Sequence, residues 1–141
     1  RDFAVGLIGL LGNRAAIHKD FHITSDEWLT WNGIYKILAN ELGVEPKTVH
    51  VPSQIIALYD KEMGANLLGD KSHSMIFDNS KIKKIVPEFR AEIPFKTGAA
   101  EVVQWFRENM LYKGPDAGVE NWMNRLIEDW EGFKSFRGNV K

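Results

Sequence analysis

Three groups of residues have the types and spacing that chemistry uses. Gly6-Leu7-Ile8-Gly9-Leu10-Leu11-Gly12 has the G-x-x-G-x-x-G spacing of dinucleotide-binding loops. That chemistry needs a strand, a tight glycine turn and a helix whose N-terminus meets the pyrophosphate. Only five residues precede the first glycine, and the positions between the glycines are Leu-Ile and Leu-Leu. A phosphate loop would hold those four side chains against ligand or solvent, so a buried helix with close-packed glycines is the better reading. His18 and His22 have the four-residue spacing of a helical metal pair, but Lys19 stands where a general base would be and His22 sits in strand-like sequence. No metal site is expected there, and His50 between Val49 and Val51 reads as a structural or solvent-facing residue. Gly69-Asp70-Lys71-Ser72-His73-Ser74 gathers a lysine, a histidine and two hydroxyls in one turn, which suits a phosphate. Its candidate binding residues are Lys71, His73 and Ser74, and a merely solvated loop is the competing reading.

Other clusters read as solvated faces. Lys81, Lys83, Lys84 and Arg90 against Glu88 form a local basic patch, yet Phe89 is its one interleaved aromatic. Glu128, Asp129 and Glu131 lack any sign of a shared pocket. Trp28 and Trp31 could stack on a sugar or a base, but their helical spacing makes them core residues first. Four residues beyond Tyr35, Tyr59 and Tyr112 stand Ala39, Met63 and Asp116, so no tyrosine has a lysine one turn away. No G-x-S-x-G or P-loop is present. No catalytic residue is expected within the chain.

The elements that would position these groups follow from periodicity. Residues 2–12 are apolar on nearly every side and predict a buried helix ending at Gly12-Asn13. Phe21-His22-Ile23 predicts a short strand leading into a helix capped by Thr24 with Glu27, or by Ser25, and running to Leu42. Trp28, Trp31, Tyr35, Leu38 and Leu42 share one face of that helix. Thr48 to Val51 and Met75 to Phe77 predict two more strands, with a Ser53-capped helix between them. Asp78 or Asn79 caps a helix from Ser80 to Val86. A longer helix spans Thr97 to Tyr112, with Ala99, Val103, Phe106 and Met110 as its seam. A last amphipathic helix carries Val119, Trp122, Met123, Leu126, Ile127, Trp130 and Phe133.

Composition sets outer bounds. The 141 residues suffice for one domain, and a net charge of −1 disfavours a generally basic nucleic-acid binder. The absence of cysteine excludes disulfides, thiolate metal sites and a cysteine nucleophile, and fits a cytoplasmic setting. The longest apolar run, Phe3 to Gly12, is well short of the ~18 residues of a membrane span. The start at Arg1, running straight into Phe3-Ala4-Val5, predicts a cut into a longer chain.

Four segments together resemble one family. Arg1-Asp2-Phe3-Ala4, Phe21-His22-Ile23-Thr24-Ser25-Asp26-Glu27 with Leu29-Thr30-Trp31, Phe77-Asp78-Asn79-Ser80-Lys81-Ile82, and Phe95-Lys96-Thr97-Gly98 through Trp105-Phe106 occur in the order found late in NAD-dependent epimerase/dehydratases. These are extended short-chain dehydrogenase/reductases. The resemblance implies an α/β, helix-rich C-terminal fragment with short strands, lacking the Rossmann nucleotide-binding half. Residues 1–112 would be the substrate-binding region, and 113–141 a C-terminal helical extension beyond the match. The parent would use NAD or NADP on a nucleotide-sugar, with its glycine-rich loop and catalytic tyrosine and lysine upstream. The fragment itself would bind no cofactor and have no turnover. Its partners would be the substrate and the upstream Rossmann domain, with self-association through exposed apolar surface. The family holds pyrophosphate with arginines, one of them before a Gly-Asp turn. Here Leu67-Leu68 precede Gly69-Asp70, so Lys71 or His73 would have to supply that charge. Two alternatives stand beside this reading: an RNA-binding or regulatory relative using the Lys81–Arg90 patch, and a helical protein-interaction module.

Overall fold

The computed structural model describes residues 1–109, 114 and 116–138. It contains seven α-helices among these residues: α1 Asp2–Leu10, α2 Trp31–Leu42, α3 Ser53–Tyr59, α4 Lys61–Leu68, α5 Ser80–Ile85, α6 Phe95–Asn109 and α7 Ala117–Gly138. Short 3-10 turns lie at Arg14–Ala16 and Asp70–Ser72. No described residue is in a strand, which overturns the expected α/β class. Residues 21–23, 48–51 and 75–77 were the expected strands. Each has strand-like composition but no ladder partner, and a strand exists only when its N–H and C=O groups pair with a neighbour. Phe21 and Ile23 instead use their apolar side chains to pack against the core of α5.

Two compact units divide the chain. The first is Arg1–Pro46 with Ile76–Met110, and the second is Lys47–Met75 with Leu111–Lys141. The expected division at 112/113 lies outside the described residues.

In the first unit the core is Ile82, Val86 and Phe89, with Leu10, Phe21, Ile23, Ile85 and Ala91 packed around it. Helix α1 meets this core through glycine. A Cβ on Gly6 would lie 2.8 Å from Ile23 Cγ2, and one on Gly9 would lie 2.2 Å from Val86 Cγ1. The spacing that suggested a phosphate loop is therefore a helix-packing surface. The expectation of a helix buried all round is also corrected. Gly6 is buried, whereas Phe3, Val5, Leu7, Ile8 and Leu11 are exposed.

Helix α2 begins later than periodicity predicts. Its N-cap is Thr30, whose Oγ1 accepts from Gly33 N at 3.1 Å. The Thr24–Glu27 capping box does not form. Ser25 Oγ accepts from Glu27 N, and Glu27 Oε2 reaches across to accept from Phe95 N at 2.6 Å. A distant N–H has replaced the local one, and Thr24 Oγ1 is left buried without a hydrogen bond. Gly43, with φ 74°, closes the helix as expected. Helices α2 and α6 pack together, with Ala39, Ala99 and Val103 buried, and Arg107 Nη2 donates to the carbonyls of Glu41 and Leu42 at the end of α2.

In the second unit α3 packs on α4 and α7. Gly64 permits the first of these contacts, since a Cβ there would meet Ala57 Cβ at 2.3 Å. Asp60 caps α4 through Met63 N. Leu126 of α7 is buried, Tyr59 Oη donates to Asp129 at 2.5 Å, and Trp130 Nε1 donates to His50 O at 3.0 Å. No helix among the described residues is long and apolar enough to cross a membrane.

Candidate functional site

The first unit carries a site with both a shape and an exposed apolar lining. It forms where α1 meets the start of α6. The chain reaches this point because Asp2, in the first turn of α1, accepts the Ile93 N–H at 2.8 Å and so holds the segment leading into α6. Arg1 adds an ion pair with Glu101 on α6. Between the two helices lies an open cleft of about 640 Å³, which is large enough for one bulky aromatic group or a small ligand. Phe3, Ile93, Val102, Trp105 and Phe106 supply its apolar walls, and Arg1, Asp2 and Glu101 its charged edge. Trp105 and Phe106 meet edge to face at 5.3 Å. Phe106 was expected in the buried seam of its helix, but it is 46% exposed. Met110 of that seam lies outside the described residues, as does Tyr112.

The cleft continues onto the outer side of α1, where Phe3, Leu7, Ile8 and Leu11 stand exposed. No charged residue interrupts the sequence between Asp2 and Arg14. This strip is suited to excluding water from another surface, since it offers neither a nucleophile nor a titratable group.

Beside it lies a polar knot. Asn79 is buried, and its Nδ2 donates to Thr24 O at 2.8 Å and Asp26 Oδ1 at 2.9 Å. Lys83 Nζ donates to both oxygens of Asp26 at 2.6 Å. The lysine ammonium, then the asparagine amide, holds the Asp26 carboxyl below the usual carboxylate range. Asp78 is lowered too, first by the Ser80 N–H and then by the Ser80 hydroxyl. Sequence reading saw Asn79 as a helix cap alternative to Asp78. Its actual role is to tie two segments that lie far apart in the chain, which no local pattern announces. Asn79 stands at the N-cap position of α5 without a side-chain cap bond, and Asp78 before it accepts from Ser80 N at 2.8 Å.

The residues singled out in sequence do not gather into one place. Lys71, His73 and Ser74 are all exposed, in the turn that follows α4 in the second unit. The hydroxyl of Ser72 there is turned inward, donating to Gly69 O at 2.6 Å. The basic patch is partly spent: Lys83 is bound to Asp26, and Lys81 lies 3.9 Å from Asp20 and over the Phe21 ring. Trp28 and Trp31 are not core residues, with exposures of 70% and 69%. The helix expected to bury Trp28 starts only at Trp31. His22 packs edge-on against Phe77, with ring centroids 4.7 Å apart. Among the described residues no group of three or more His, Cys, Asp or Glu could hold a metal ion. No protein family, no curated protein and no solved structure matches the chain.

Proposed function

We propose that the chain is a helical protein-interaction module whose docking face is the outward side of α1 with the adjoining cleft. One observation carries this reading: α1 is inverted, its glycines facing the chain's own core and its large side chains facing outward. Apolar area left in water forgoes roughly 25 cal/mol per Å². A contiguous strip of this kind marks a surface that another body covers. The covering surface is apolar and uncharged, because no charge lies between Asp2 and Arg14 to be matched. A dye that reports exposed apolar surface, anilinonaphthalene sulfonate, tests the face directly. The wild-type chain is expected to bind it, and Ile8→Glu with Leu11→Glu to lose most of that binding at unchanged far-ultraviolet circular dichroism. Equal binding by both proteins would overturn the reading.

A second reading is favoured by a separate observation. The four segments that resemble epimerase/dehydratases lie in the first unit and are joined by hydrogen bonds. Asn79 joins Thr24 and Asp26, Glu27 joins Phe95, and Arg1 joins Glu101. On this reading the chain is the substrate-binding part of a nucleotide-sugar epimerase/dehydratase. The body that covers α1 is then the Rossmann half, which would carry NAD or NADP. Lys71, His73 and Ser74 would contact the substrate. A coding sequence that continues upstream into a glycine-rich loop and a Tyr-x-x-x-Lys pair would support it, and one without them would remove it. The RNA-binding alternative draws less support, because the Asp26 carboxylate already neutralises Lys83 at the centre of its patch.

A further inference from the structure

We infer that the cleft beside α1 is the mouth of a hinge inside the first unit, kept shut by two carboxylate clasps, Asp2 and Glu27. The hinge widens the cleft of the docking face proposed above for a partner side chain, and rests on that reading only for this use. The walls of the cleft belong to different packed pairs. Helix α1 packs on α5, and α6 packs on α2. The chain passes from the first pair to the second through residues 90–94, between the buried Phe89 and the start of α6. Residues 28–30, between Glu27 and the start of α2, are the second pivot. A hinge is a few loop residues of this kind, which absorb the φ and ψ change of a larger body.

Segment 90–94 is held in its path by other parts of the chain. Ala91 sits at φ 50°, in the left-handed region that costs a residue with a Cβ. Pro94 has no N–H to give, and it keeps Ile93 before it out of helical backbone. The amides on either side of Pro94 are both bound from the first pair. Asp2 of α1 accepts the Ile93 N–H at 2.8 Å, and Glu27 accepts the Phe95 N–H at 2.6 Å. Glu27 is itself fixed to the α5 side, because Asn79 donates to Thr24 O and Asp26 just before it, and Lys83 donates to Asp26. Arg1 adds an exposed pair with Glu101 at the charged edge of the cleft. A carboxylate holds an amide more firmly than a neutral acceptor does, yet each clasp can break without unpacking either helix pair. Breaking both frees Ala91 to return to ordinary φ. Helices α2 and α6 then swing as one body, with Ala39, Ala99 and Val103 still buried. The wall carrying Gly98, Val102, Trp105 and Phe106 moves away from Phe3.

Pairs of spin labels on introduced cysteines read the hinge in the full 141-residue chain, and the absence of native cysteine makes the labelling clean. Lys84 on α5 and Gln104 on α6 are exposed and report between the helix pairs, while the exposed Lys36 on α2 with Gln104 reports within one pair. Asp2→Ala combined with Glu27→Ala is expected to add a longer population to the Lys84→Cys, Gln104→Cys distance. The Lys36→Cys, Gln104→Cys distance is expected to stay as in the wild type. Asp2→Asn with Glu27→Gln, which keep an acceptor oxygen, is expected to restore the short distance. Should the double alanine variant lose its helix content, Asp2→Ala alone is read by amide hydrogen exchange. The Ile93 N–H should then exchange roughly tenfold faster or more, with the Ala99 and Val103 amides unchanged. An unchanged distance between the pairs in a folded double alanine variant, or equal broadening within the α2–α6 pair, would overturn the hinge. So would an unchanged Ile93 amide, or equal acceleration at Ala99 and Val103. A longer population that persists in the Asn and Gln variant would overturn the clasps. The dye test of Ile8→Glu with Leu11→Glu does not read these distances, so the docking face and the hinge fail separately.

Discussion

At the scale of single residues, Asn79 has the largest structural consequence for its size. Its amide is buried and binds a carbonyl and a carboxylate from a segment more than fifty positions earlier. Asn79→Ala removes both bonds and leaves the Thr24 carbonyl unsatisfied, which should cost about 1–3 kcal/mol in urea unfolding. Lys83→Ala should cost less than Asn79→Ala, because the Asp26 side of that ion pair is exposed and water screens it. The carboxylates give the unit a pH dependence of definite sign. Asp26 and Asp78 titrate below their usual values when folded, so the unfolded chain takes up protons first as pH falls. Their stabilising contribution is present above the ordinary aspartate pKa and is lost as pH drops through the lowered values. The urea midpoint of the wild type should therefore fall with acidification over that range, and Asp26→Asn should flatten part of the slope. An unchanged slope would show that Asp26 is not linked to folding. Of this only the bond of Asp78 to Ser80 had a local signal in the sequence, because the partners of Asn79 and Asp26 are set by contacts between distant segments.

At the scale of elements, helix identity was legible where local signals are strong. The end of α2 at Gly43 and the stop of α5 before Pro87 follow breakers visible in the chain, whereas Ser53, expected as a cap, is the first residue of α3, which has Pro52 before it and no side-chain cap bond. The start of α2 followed no such signal, because Thr24 and Thr30 are both plausible N-caps locally. The deciding bond is the one from Phe95 N to Glu27, which withdraws Glu27 from any capping box. Thr30→Ala should accordingly destabilise the unit by about 0.5–2 kcal/mol, whereas Thr24→Ala should not show a capping loss. The contact of α1 with Val86 gives a sharper test. Gly9→Ala adds a methyl at 2.2 Å from Val86 Cγ1, so it should cost roughly 1–3 kcal/mol by overpacking. Val86→Ala in the same chain should recover part of that loss, and the double-mutant cycle measures the coupling. Strictly additive costs would show that the two groups do not meet.

At the scale of the whole molecule, the sequence by itself determined a chain without cysteine or an apolar run of membrane length, and the apolar character of Phe3 to Leu11. It also supplied the glycines at Gly6 and Gly9, but not which way they face. Periodicity reports that a segment is apolar, and an all-apolar helix has no polar side to mark its outside. Only the tertiary structure decided that the glycines turn inward against Ile23 and Val86 while Ile8 and Leu11 turn outward. The same limit explains the missing strands. Alternation at 21–23, 48–51 and 75–77 describes side chains, whereas a strand depends on a neighbour for its backbone hydrogen bonds. Whether such a neighbour exists is decided by how the chain packs, and among the described residues it packs without one.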